Sequence, residues 1–144
     1  MNPLIIAAVL IALVGASTLI GVVWRLTTGR IRTVTRSDEH IQVTELVAGA
    51  VAGSGATLLQ FSTKFCSPCR TTHSLLGALA AEFSGIRHVD VDVTTRPDLA
   101  DRFSLLQSPT IFILDSTGAV RARIGGTPRV GDLRAELDRI LEAA

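Results

Sequence analysis

Cys66 and Cys69 are the only cysteines in the 144-residue chain, and two residues separate them. A disulfide across so short a loop constrains little of the unfolded chain, so the pair is not a scaffold staple. Its spacing belongs to dithiol redox chemistry or to metal ligation. A closed zinc site takes four ligands. Only His40, His73 and His88 could join the two thiols, and none stands at a zinc-ribbon spacing from them. The redox reading is therefore favoured, and it needs neither a metal nor a cofactor, because the thiolate itself is the nucleophile.

Composition narrows the partners. The formal net charge is +1, and only 4% of residues are aromatic, with no tyrosine. A nucleic-acid surface needs a basic patch interleaved with stacking rings, and the chain has none, so nucleic acid is not an expected partner.

The first 24 residues stand apart. Residues 3–24 carry no charged side chain. About 20 apolar residues cross a bilayer core of about 30 Å, so this run is expected to be a transmembrane anchor (residues 1–24). Trp24 closes it, where an indole favours the headgroup boundary. Gly15, Ala16 and Ser17 are small, as membrane helices tolerate. A cleaved signal peptide would carry positive charge ahead of its apolar run. Here no Lys or Arg precedes the run, which also continues past residues 15–17. Arg25, Arg30, Arg32 and Arg36 follow the span. Basic residues mark the cytoplasmic flank, so the expected topology is single-pass, with the N-terminus outside and the large C-terminal part in the cytoplasm. Residues 25–40 read as a basic juxtamembrane linker, with only a short alternation at 31–35.

The elements that must position the cysteines follow from periodicity. Residues 41–44 alternate as a short strand and residues 45–52 read as a helix, broken by Gly53-Ser54-Gly55. Residues 56–62 read as a strand buried on both faces. A helix follows over residues 66–83, its apolar positions Leu75, Leu76, Leu79 and Phe83 spaced by three and four. Residues 86–93 alternate as a strand, and Pro97 opens a short helix. A strand at 110–114, a turn at 115–118 and a partner strand at 119–124 form a hairpin. Asp132 is expected to cap a final helix, with Leu133, Leu137, Ile140 and Leu141 on one face. The order predicts an α/β fold: a mixed central sheet flanked by helices, preceded by one transmembrane helix.

A strand ending at Ser62, then Cys66-Ser67-Pro68-Cys69 opening a helix, then Ser108-Pro109-Thr110 leading into a strand, a hairpin, a glycine pair and a terminal helix resembles the thioredoxin-like family. The resemblance covers residues 41–144. It implies a thioredoxin-like fold and thiol–disulfide exchange. Cys66, at a helix N-terminus where unpaired N–H groups and the helix dipole favour a thiolate, attacks a substrate disulfide. Cys69, one turn further in and more buried, resolves the mixed disulfide. Pro68 shapes the first turn, where its missing N–H costs nothing. Pro109 resembles the family's cis-proline, which faces the cysteines. Phe65, Ser67, Pro68, Ser108, Pro109 and Thr110 are the expected substrate contacts.

The chain also departs from the family pattern. Phe65 stands where thioredoxins carry tryptophan, Ser67 where they carry glycine, and Arg70 keeps their positive charge. Ser74 replaces the family's helix-kinking proline. Gln60 occupies the place of the buried aspartate that accepts the resolving thiol's proton, and His88 that of its lysine partner. A glutamine cannot titrate, so the proton-transfer environment at Gln60 and His88 is altered. His73, four residues after Cys69 on the same helix face, is expected to face solvent, with modulation of the thiols as the alternative.

These residues imply a membrane-tethered thiol–disulfide oxidoreductase acting on protein thiols or disulfides at the membrane and recharged by an upstream reductant. Two alternatives stay open. One is a thioredoxin-fold binding module without turnover, which the Gln60 substitution keeps in view. The other is an extracytoplasmic protein that serves cytochrome maturation or disulfide handling.

Overall fold

The N-terminal apolar run forms helix α1 (Pro3–Thr27), and every residue of it is exposed. At 1.5 Å per residue its 25 residues reach about 37 Å, enough to cross a bilayer core. Asn2 Oδ1 accepts the Leu4 N–H at 3.1 Å and caps the start. Within and just beyond the helix, the Thr18, Thr27 and Thr28 hydroxyls donate to carbonyls one turn back, so none needs water. The computed structural model of the chain describes residues 2–34 and 39–143. Arg36 and Thr35, which figured in the topology signal and the short alternation, lie outside the described residues.

Only three residues separate α1 from the sheet. Gly29 turns the chain with φ 76°, and its N–H donates to the Gly125 carbonyl at 2.9 Å. A Cβ there would collide with the Thr127 carbonyl oxygen, so only glycine fits. Strand β1 (Ile31–Thr33) then pairs antiparallel with β5 (Val120–Gly125), Ile31 opposite Ile124. The segment expected to be linker therefore supplies an edge strand. The alternation at 31–35 is too short to mark a strand by itself, and the pairing comes from the open edge of β5.

The next stretch also differs from expectation. Residues 41–44 are not a strand: His40 forms a single bridge to Ala119, and the Ile41 N–H donates to Gly118 O at 2.8 Å. The helix expected over residues 45–52 is one turn, α2 (Val43–Leu46), and Gly49 with φ 77° lies beyond it. A left-handed glycine ends rather than extends a helix.

Strand β2 (Ala56–Ser62) is buried at every residue, as its apolar run predicts. It lies between β3 (Ile86–Asp92), which is parallel to it, and β4 (Thr110–Asp115), which is antiparallel. The sheet order is β1-β5-β4-β2-β3. Alternate side chains feed two cores. Leu59, Phe61, Val91 and Phe112 pack with Leu99 of α4 (Pro97–Arg102) and with Phe103. Leu58, Ile111 and Ile113 pack on the other face against Leu76 and Leu79 of α3 (Ser67–Glu82) and Leu133 and Leu137 of α5 (Val130–Glu142). Helix α5 begins at Val130 with Arg129 at the cap, so Asp132 is not the cap residue; it sits in the first turn, where its carboxylate favours the helix dipole.

Asp115 closes the β4–β5 hairpin. Its carboxylate accepts from the Thr117 N–H (2.9 Å), the Thr117 hydroxyl (2.6 Å), the Ala119 N–H (3.0 Å) and Arg121 Nε (2.7 Å). Burial opposes its ionisation, but these donors outweigh burial and hold its pKa at about 2. Asp115→Ala is expected to destabilise the full chain by about 2 kcal/mol or more, since hydrogen bonds to a charged acceptor contribute about 1.5–3 kcal/mol each. A urea titration of the detergent-solubilised protein checks this; an unchanged midpoint would mean the hairpin closes without the carboxylate.

Candidate redox site

The loop at residues 63–65 carries the chain from β2 to α3, and Cys66 takes the N-cap position with extended backbone. Its sulfur accepts the Cys69 N–H at 3.1 Å. Pro68 falls in the first turn, as the sequence predicts. Cys66 and Cys69 are joined in a disulfide, their Cα atoms 5.2 Å apart. The two sulfurs differ in access: Cys69 is 3% exposed, whereas Cys66 is only partly buried. Phe65 beside them is 91% exposed, an apolar ring in solvent.

The Ser108–Pro109 bond is cis. Register pairs Phe61 with Thr110, so Pro109 leaves the sheet at the end from which β2 runs toward Cys66. The Pro109 carbonyl accepts the Gly126 N–H at 2.7 Å, and the next residue, Thr127, meets the Thr72 hydroxyl of α3 at 3.5 Å. Thr110, buried, donates its hydroxyl to Gln107 O at 2.7 Å. Ser67 and Ser108 are exposed on this surface. Helix α3 runs as one segment through Ser74.

Gln60 lies fully buried under the disulfide. Its Nε2 donates to the Cys69 carbonyl at 3.0 Å, and its Oε1 pairs with His88 Nε2 at 3.2 Å. An amide oxygen only accepts, so His88 carries its hydrogen on Nε2. Burial, with His73 beside it and against the pull of Asp90, pushes His88 down to about 4. The imidazole is neutral at physiological pH. The fold brings Gln60 and His88 together, and the grip of Gln60 on the Cys69 backbone is visible only there.

His73 is not simply solvent-facing. Its side chain is 56% exposed, but Nδ1 lies 3.1 Å from Asp90 Oδ2, and its ring stands edge-on to His88 with centroids 4.7 Å apart. The Ser62 hydroxyl donates to the other Asp90 oxygen at 2.7 Å. A cavity of about 370 Å³ is bordered by Cys66, Cys69, His73 and Asp90. Sequence reasoning missed Asp90 and Ser62. The signal was the alternation in β3, which puts Asp90 on the same face as His88.

The Thioredoxin family model matches residues 41–139. The chain is 31% identical to thioredoxin of Chlamydia trachomatis over 72 residues, 50% of this chain and 71% of that protein. It is 28% identical to thioredoxin C-2 of Corynebacterium nephridii over 97 residues, 67% of this chain and 85% of that protein. Among solved structures, malaria-parasite thioredoxin-2 superposes with a TM-score of 0.55 at 21% identity, covering 74% of this chain and 99% of that one, a likeness of fold. Chloroplastic thioredoxin z gives a TM-score of 0.55 at 25% identity, covering 63% and 81%.

A histidine whose pKa falls on folding makes acid unfavourable to the fold. The stability in place above about 6.5 is lost as pH drops toward about 4. The melting temperature of the detergent-solubilised chain is expected to fall across that window, and to fall less in His88→Gln. Equal falls in both proteins would assign the acid sensitivity elsewhere.

Proposed function

The chain belongs to the thioredoxin family and is a thiol–disulfide oxidoreductase; from that premise we propose that it works tethered to a membrane, on protein disulfides near the bilayer surface. The observation that carries the reading is the Cys66–Cys69 pair at the start of α3, with the Ser108–Pro109 loop at the same end of the sheet.

Cys66 is the attacking sulfur and Cys69 the resolving one. Their unequal burial supports these roles, because a nucleophile must reach its substrate while a resolving thiol acts only within the mixed disulfide. The start of α3 favours the Cys66 thiolate. Phe65, Ser67, Pro68 and Ser108 are the exposed part of the substrate surface, and the buried Pro109 and Thr110 shape the loop behind it. Electrons pass between sulfurs, so no cofactor is called for.

The tether reading rests on α1, a long, exposed helix whose residues 3–24 carry no charge. Its root supports a substrate at the membrane: Gly29 bonds to Gly125, and the adjacent Gly126 bonds to Pro109. The substrate loop thus lies a few residues from the end of the span, which raises its effective concentration toward membrane partners. Arg25, Arg30 and Arg32 after the span favour a cytoplasmic domain with the N-terminus outside. That compartment keeps thiols reduced, so reduction is the working direction, with a separate dithiol reductant restoring the pair.

Insulin disulfide reduction by the full chain in detergent, driven by dithiothreitol, is expected to fall to background in Cys66→Ser; equal rates would remove Cys66 from the chemistry. In membranes, Cys69→Ala is expected to accumulate mixed disulfides between Cys66 and membrane proteins. Capture of soluble proteins alone would count against the tethered role. A reporter fused after residue 144 is expected to report the cytoplasm; an external signal would reverse the topology and favour the extracytoplasmic alternative.

A further inference from the structure

Exchange stalls unless the resolving thiol loses its proton, because the thiolate is the nucleophile. The residue beneath Cys69 offers no help: Gln60 is an amide, and both ends of its side chain are already engaged, with Cys69 O and with His88. His88 is a poor acceptor too, since its Nε2 hydrogen is committed to Gln60 and its burial disfavours a charge.

His73 is placed differently. It follows Cys69 by four residues on α3, so both project from one face of the helix. It borders the same cavity as Cys66 and Cys69, which is wide enough to hold water. Asp90 holds its Nδ1, and Ser62 holds Asp90. A carboxylate that accepts from Nδ1–H leaves the Nε2 lone pair free to take a proton. The charged and titratable groups around His73 are Arg70 from its own helix and His88 and Asp90 from β3, together with the two cysteines.

We propose that His73, positioned by Asp90, accepts the Cys69 proton across this cavity and so replaces the missing buried acid. The proposal rests on the oxidoreductase reading. In the reducing direction the Cys66 thiolate attacks one substrate sulfur, a Cys66–substrate bond forms, and the first substrate thiolate leaves and takes a proton from water. The Cys69 thiol then gives its proton to His73 Nε2. Its thiolate attacks the Cys66 sulfur, the Cys66–Cys69 bond forms, and the second substrate thiolate leaves with the proton from His73. Two electrons pass from the dithiol to the substrate disulfide.

The test separates the two sulfurs. The full chain, pre-reduced in detergent, is mixed with an aromatic nitrobenzoate disulfide whose thiolate is coloured. Attack by Cys66 releases one coloured thiolate, and resolution by Cys69 releases the second. The pH profile of each phase is recorded for the parent and for the variants. His73→Asn is expected to leave the first phase unchanged and to slow the second about tenfold or more at neutral pH, in line with general-base catalysis. The pH profile of its second phase is expected to differ from the parent's, while that of the first phase does not. Asp90→Asn slows the second phase by less, and imidazole added to His73→Ala restores it. A second phase with the parent's rate and pH profile in His73→Asn overturns the proposal and leaves the oxidoreductase reading intact. A parent that releases no coloured thiolate overturns both.

Discussion

The seven residues of β2 are buried on both faces, and the molecule is organised around that strand. Its odd and even positions feed separate cores, which α3 and α5 cover on one side and α4 with Phe103 on the other. Each large apolar side chain so buried contributes about 1.5–3 kcal/mol. The same burial forces a polar choice. Gln60 has no water, and an unpaired amide there would cost about 1–3 kcal/mol, so its two ends must find partners. They find the Cys69 carbonyl and His88, and the first of these fixes the start of the redox helix onto the sheet.

Replacing an ionisable residue by an amide at that point changes the electrostatics of the whole site. A buried carboxylate would hold charge beneath the disulfide. Here the buried layer is neutral, with Gln60 polar but uncharged and His88 held below its normal titration range. The ionisable pair has moved outward to His73 and Asp90, at the edge of the cavity, where water can relay a proton.

The other constraint is mechanical. Thr28, Gly29 and Arg30 alone join α1 to β1, and fully extended they reach about 10 Å. Because β1 is hydrogen-bonded into the sheet, only these three residues lie between the helix and the folded domain. If α1 lies in a bilayer, the cis Ser108–Pro109 loop stays close to the surface, and the tether becomes part of substrate choice as well as of location.

Local signals were enough to read the redox helix, the all-buried strand, the hairpin and the long apolar helix, because each is written in spacings of two to four residues or in an uninterrupted run. Cys66 at a helix start and Pro109 ahead of a strand were legible for the same reason. Other features were not. β1 exists only because β5 offers it an edge, and the turn at Val43 follows from the contacts of Ile41 with the Gly118 turn. His73 and Asp90 lie seventeen residues apart in sequence, on a helix and a strand. The sequence determined the longer elements and where the thiols sit, since those depend on neighbours along the chain. Only the tertiary structure decided which groups surround the thiols, since packing α3 against β3 is what brings an imidazole, a carboxylate and a buried sulfur to one cavity.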